Sequence, residues 1–257
     1  MTLRLDYRYG YADVSFGQMH YALRRNSAAE DSALVLLNPR ARCSLPMLPR
    51  FPQIGTVVGI DLPGFGRSSA LPDGPAMRDI AGGFIECLDC LGFGSVDLFG
   101  LHTGHKIATA MALHWPDRIN RLIVAGRSHS LIPDHTARNA AMKAVVDENQ
   151  VDMAIIRMEG RYADEPGATR AFADMFNANF AFDFGAAMRG ITQPTLVLEI
   201  TSEREDGLYG RQAAALIAGM PNAIAREMPM TDPTGLSMYV GVDTMVDAIT
   251  KFRHGPA

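Results

Sequence analysis

His102 stands at the centre of a Gly-Leu-His-Thr-Gly turn, residues 100–104. An imidazole can accept a proton as a base, donate a hydrogen bond or attack a carbonyl carbon. The turn follows an apolar run through Val96, Leu98 and Phe99, which reads as a strand. It precedes Ile107, Ala108, Met111 and Ala112 at helical spacing, so a helix begins near Thr103. The two glycines let strand and helix approach closely and put the central residue on a strained tip. The helix N-terminus carries a partial positive charge, which disfavours an imidazolium, so a neutral ring is expected at pH 7. The backbone N–H of Thr103 points at the same spot and would stabilise a developing oxyanion.

Other residues could serve a site beside this tip. Arg127 and His129 follow an apolar strand over 119–125, whose carboxyl end faces the same crevice. Arg40 and Arg42 lie in the loop after an earlier strand, and with Arg127 they are candidates to bind a substrate carboxylate. Cys43, in the same loop, is a thiol that could pair with His102 across the crevice; nothing in the sequence activates it. His105 is expected on the helix, facing solvent or a lid. A His102–His105 metal pair lacks further ligands at defined spacing, so no metal is expected. Cys87 and Cys90 read as two small core-facing helical residues, and Ser68 as part of a Pro-Gly turn. No G-x-G-x-x-G follows a strand and no P-loop is present, so no cofactor is expected.

The elements that must position these residues alternate in type. Strands are expected within 11–24 (two), at 33–38, 56–61, 96–99, 119–125, 195–200 and 224–228. Helices are expected over 76–91, from 103 onward, and over 208–219 and 238–252. Between 130 and 190 the pattern changes to three helical segments (135–148, 150–161 and 166–188) rich in Met and Phe, among them Phe172, Met175, Phe176, Phe180, Phe184 and Met188. This reads as a helical layer, or as a lid with an adaptable apolar lining. Alternating strands and helices imply an α/β fold with a mostly parallel sheet covered on both faces. With 257 residues, 47% hydrophobic, the chain can bury a large core as one domain with an insertion. A net charge of −4 gives no basic surface for nucleic acid or an acidic membrane. Three cysteines, no apolar leader in MTLRLDYRYG and no long uncharged apolar run predict a soluble cytoplasmic protein.

Three stretches in this order resemble the α/β-hydrolase superfamily. They are Asp61-x-Pro63-Gly64-x-Gly66-x-Ser68, Gly100-x-His102-x-Gly104 followed by His114-Trp115-Pro116-Asp117-Arg118-Ile119, and Pro194-Thr195-Leu196-Val197-Leu198. The resemblance implies a hydrolase fold with core 1–129 and 191–257 and a small helical cap, 130–190, inserted after the strand near 119–125. The turn at His102 is then the nucleophile elbow, with His-Thr-Gly where Ser-x-Gly is usual. The resemblance puts the acid position nearest Glu203. The histidine position falls near Asp232, where no histidine stands. The oxyanion loop reads Asn38-Pro39, and Pro39 lacks an N–H. Standard serine acyl transfer cannot be written for this chain.

Two functions follow. One is a non-standard hydrolase or lyase acting on a small, partly apolar carbonyl or ester-like compound. In it His102 is base or nucleophile, Glu203 or Asp232 orients it, and Thr103, Asn38, Arg40, Arg127 and His129 bind the oxyanion or substrate. The other is a ligand-binding or sensor protein that kept the pocket and lost turnover. A homodimer through the Met- and Phe-rich 135–190 surface is a further possibility.

Overall fold

Apolar runs too short for helices and flanked by turn residues become buried strands. β3 (Ala33–Leu37), β5 (Val96–Leu101) and β7 (Thr195–Thr201) are buried at every residue, as expected where both sheet faces are covered. The computed structural model describes residues 7–25, 32–37, 48–51, 54–132, 168–229 and 242–255, with residues 136, 137 and 140 beside them. The remaining strands are β1 (Arg8–Val14), β2 (Gly17–Arg25), β4 (Thr56–Ile60), β6 (Ile119–Ala125) and β8 (Ala223–Pro229). They form one eight-stranded sheet in the order β1-β2-β4-β3-β5-β6-β7-β8. β2 pairs antiparallel with β1 and β4, and every other pairing is parallel. The carboxyl ends of β3 to β8 therefore share one edge, and His102 lies on it. This is the mostly parallel α/β sheet that the alternation of elements predicts.

Helices cover the two faces unequally. α1 (Met77–Cys90) and α2 (Thr103–His114) pack together on one face. There Ile80, Phe84, Ile107 and Met111 meet Val35, Leu98 and Val124 in one core. On the other face Leu48, Phe51 and Ile54 meet Leu34, Phe99 and Ile123, together with Met245 and Ile249 of α7 (Val242–His254). α7 is locked to β5 by a buried ion pair, Arg253 Nε to Asp97 Oδ2 at 2.7 Å.

Two expected helices have different bounds in the structure. The segment 166–188 is α3 (Ala168–Ala181) and α4 (Phe184–Arg189), because the Asp183 side chain accepts the Ala186 N–H at 2.9 Å and starts a new helix. The helix expected over 208–219 is shortened to α6 (Ala213–Ile217); before it comes α5 (Glu203–Tyr209), which is not among the expected helices and which ends at Gly210, whose φ is +64°. The helices expected over 135–148 and 150–161 lie outside the described residues, save 136, 137 and 140. Phe172 and Met175 of α3, and Phe184 and Met188 of α4, join the same core as α1 and α2. Cys87 is buried in α1 as expected, whereas Cys90 is exposed rather than core-facing.

Candidate active site

β5 ends at Leu101 and α2 starts at Thr103, so one residue makes the whole turn. His102 has φ 48° and ψ −118°, and it is the only non-glycine with positive φ among the described residues. Such a conformation costs about 1–3 kcal/mol and persists only where its surroundings impose it. The His102 N–H donates to the Ala125 carbonyl at 3.0 Å, and the His102 carbonyl accepts the His105 N–H at 2.9 Å. Gly100 explains how strand and helix fit. A Cβ there would lie 2.6 Å from both the Gly104 carbonyl carbon and the His105 Cα. The imidazole of His102 rests over Gly126, where a Cβ would come within 2.7 Å of Nδ1. His102 and Thr103 are half-buried, and Thr103 opens α2, where the first N–H groups have no intrahelical acceptor.

His105 and Lys106, in the first turn of α2, look inward. His105 is not solvent-facing: it is 1% exposed, lies 4.4 Å from the Phe184 ring, and its Nδ1 is 3.1 Å from the Ala125 carbonyl oxygen. Burial pushes its pKa down to about 3, so the ring is neutral in the physiological range. Lys106 is also buried, its Nζ donating to the Asn179 carbonyl at 2.6 Å near the end of α3. Burial lowers its pKa to about 8. Cys87 is an inert thiol, since burial raises its pKa to about 12.

Arg127 departs from the carboxylate-binding role that its place after β6 suggests. Its side chain is 1% exposed. Nη1 donates to the Gly210 carbonyl at 2.7 Å, Nη2 pairs with Asp206, and Nε lies 3.9 Å from Glu199 Oε1. The guanidinium is thus committed to protein groups. His129 opens a single 3-10 turn, His129–Leu131, just beyond.

No protein-family profile matches the chain. Among characterised relatives, (E)-2-((N-methylformamido)methylene)succinate hydrolase of Acinetobacter baylyi is 30% identical over 117 residues, 44% of each chain, so the match spans less than half of that enzyme. A 2-hydroxymuconate semialdehyde hydrolase of a Pseudomonas species is 26% identical over 193 residues, 67% of each chain. Among solved structures, MGS-M2, an α/β hydrolase enzyme from a Medee basin deep-sea metagenome library, superposes with a TM-score of 0.75 at 15% identity. That superposition covers 96% of this chain and 98% of the other. The chain has the α/β-hydrolase fold. Its relatives are named hydrolases, consistent with an enzyme of that class.

In an α/β hydrolase the parts around the elbow come from the ends of neighbouring strands. Glu203 is the first residue of α5, beyond the end of β7, and its side chain is exposed. Glu205, two residues on, is buried, and its N–H donates to the Ser202 hydroxyl at 3.1 Å. The structure therefore turns Glu205 inward and Glu203 outward, a distinction that adjacent acids in one sequence do not reveal. Asp232, Asn38, Arg40, Arg42 and Cys43 lie outside the described residues. No cluster of three or more His, Cys, Asp or Glu placed to hold a metal occurs among the described residues. No described helix is long and apolar enough to cross a membrane.

Two buried polar groupings escaped the sequence. His20 Nδ1 and Asp61 Oδ2 lie 2.9 Å apart, with the Arg67 N–H donating to the same carboxylate oxygen at 3.1 Å. Ser68 completes the turn by donating to the Asp61 carbonyl and accepting the His20 N–H. Glu199 Oε1 accepts the N–H groups of Gln212 and Ala213 at 2.5 and 2.9 Å. The first grouping joins β2 to the turn after β4, and the second joins β7 to the start of α6, so no local spacing announces either.

Proposed function

We propose that this α/β hydrolase is a non-standard hydrolase, or a lyase, acting on a small, partly apolar carbonyl or ester-like compound through His102. The observation that carries this reading is the backbone of His102. A strained positive φ is kept on a β-substituted residue at the elbow tip, above a helix N-terminus, with its ring set over Gly126. The two relatives are named for hydrolysis of a succinate derivative and of a muconate semialdehyde, which supports a small-molecule carbonyl substrate.

In this reading the neutral imidazole takes a proton from water as the water oxygen bonds to the substrate carbonyl carbon. The carbonyl oxygen becomes an oxyanion, held by the Thr103 N–H. Collapse of the adduct breaks the bond to the leaving group, which receives the proton from the imidazolium. No acyl-enzyme is needed. An acid beyond β7 or Asp232 orients the ring, and the burial of Glu205 favours it over Glu203 for that role. Asn38, Arg40 and His129 complete the substrate contacts, residues 130–190 form the lid, and the protein works in the cytoplasm, as a monomer or a homodimer. A sensor reading is the alternative, motivated by the elbow's lack of a serine.

Turnover of 4-nitrophenyl esters and labelling by a fluorophosphonate probe separate these readings. The enzyme reading expects ester turnover without fluorophosphonate labelling. Ligand-induced thermal stabilisation with no turnover of any ester or carbonyl substrate would support the sensor instead.

A further inference from the structure

The loop after β6 and the segment after β7 are joined by a buried, multiply bonded contact that the proposed chemistry does not use. On one side are Gly126, Arg127 and Ser128. On the other are Asp206 and Gly210, at and just beyond α5, then Gln212, with Glu199 inside β7 between them. Arg127 Nη1 reaches the Gly210 carbonyl at 2.7 Å and Nη2 holds Asp206. Gln212 clamps Ser128 from both sides. Its Oε1 accepts the Ser128 N–H at 2.8 Å, and its Nε2 donates to the Ser128 carbonyl at 3.0 Å. Gly126 is tied to β7 by its N–H to the Leu198 carbonyl at 3.2 Å.

The placement of this contact gives it a consequence. Gly126 is the floor beneath the His102 imidazole, and Arg127 is the next residue. Asp206 follows Glu205 directly on α5. A guanidinium held at both ends cannot shift without moving either the floor of the imidazole or the helix that bears the acid. We infer that Arg127 is a positioning residue, which fixes the acid-bearing segment 203–206 against His102 by bridging the carboxyl end of β6 to Asp206 and Gly210. The inference deepens the proposed function and rests on it for its effect on turnover. Its structural core, the coupling of Arg127 to the His102 ring, can be read without turnover.

A cation at this position has a specific geometry to satisfy. A guanidinium spans two acceptors with a fixed fork, whereas an ammonium is a single flexible point charge. Lysine should therefore keep the charge and lose the bridge to one partner. Because the Gln212–Ser128 clamp remains, removing the guanidinium should leave the loops attached.

The test uses the full chain with labelled histidine. The His102 ring resonances, assigned through His102→Ala, are compared in wild type, Arg127→Met, Arg127→Lys and Asp206→Asn. Asp97→Asn is the control, since it breaks a buried ion pair on the opposite face and lowers stability without touching the site. The expected result is a shifted or broadened His102 resonance in Arg127→Met and Asp206→Asn, a smaller change in Arg127→Lys, and none in Asp97→Asn. In the ester assay kcat should fall about 10- to 100-fold in Arg127→Met with KM little changed, the scale of a misplaced catalytic group. An unmoved His102 resonance in folded Arg127→Met overturns the inference, as does an equal change in the Asp97→Asn control. If Arg127→Met fails to fold, an unmoved resonance in Asp206→Asn overturns it equally. Moved resonances in a protein whose wild type turns over no substrate would sink the proposed function and leave the positioning role standing.

Discussion

Gly126 is the floor of the His102 imidazole. A methyl group on Gly126 would come within 2.7 Å of Nδ1 and 3.0 Å of Cε1, and the glycine's own φ of +91° already excludes most side chains. Both facts require glycine here. Gly126→Ala should lower ester turnover at least ~10-fold and cost about 1–3 kcal/mol of stability. Urea unfolding read beside kcat checks both. Full activity in Gly126→Ala would mean that the ring need not sit where it is.

The acid partner can be assigned by a pair of isosteric changes. Glu205 is buried and Glu203 exposed on the same helical turn. Glu205→Gln should lower kcat by about 10-fold or more, and Glu203→Gln should leave it within about twofold, given the usual scale of an acid–base contribution. The reverse order would return the role to Glu203.

Stability should depend on pH through His105. Its pKa is pushed from 6.5 down to about 3 by burial. The folded state thus binds fewer protons than the unfolded state between those values. The stabilising contribution is complete above pH 6.5 and is lost progressively as pH falls toward 3, with a slope of up to about 1.4 kcal/mol per pH unit. Urea midpoints measured at intervals from pH 8 to 4 should fall on the acid side, and His105→Phe should flatten that part of the curve. An unchanged slope in the variant would assign the acid sensitivity elsewhere.

The last helix depends on one buried pair. Arg253 and Asp97 are 2% and 1% exposed, at 2.7 Å. Asp97→Asn leaves a buried guanidinium without its counter-charge, which typically costs about 3–5 kcal/mol. Thermal and urea unfolding should show a loss of that size. A change below ~1 kcal/mol would show that the pair is solvated in solution.

The sheet and the elbow were legible in the sequence because each is a local pattern. β3 and β5 are continuous apolar runs, and Gly100 and Gly104 bracket the turn. What the sequence hid depends on contacts between segments far apart in the chain. Arg127 looks like any loop cation until Gly210 and Asp206 are folded against it, 83 and 79 residues away. His20 and Asp61 meet only because β2 runs antiparallel to β4. Helix boundaries failed where one residue decided them. Asp183 starts a new helix by accepting a backbone N–H, and Gly210 ends one by its positive φ. Helical spacing leaves His105 facing either solvent or the 130–190 segment, and the fold decides between them by setting its ring against Phe184.

The most direct test of a histidine-centred site is ester and enol-ester hydrolysis by wild type, His102→Ala and His102→Ser, side by side at pH 7. The account predicts measurable wild-type turnover and a loss of roughly 10²-fold or more in His102→Ala, as expected for removal of an acid–base group. It predicts no recovery in His102→Ser, because a serine at the tip has no assigned base beside it. Wild-type rates no higher than those of His102→Ala would contradict the claim that His102 carries the chemistry.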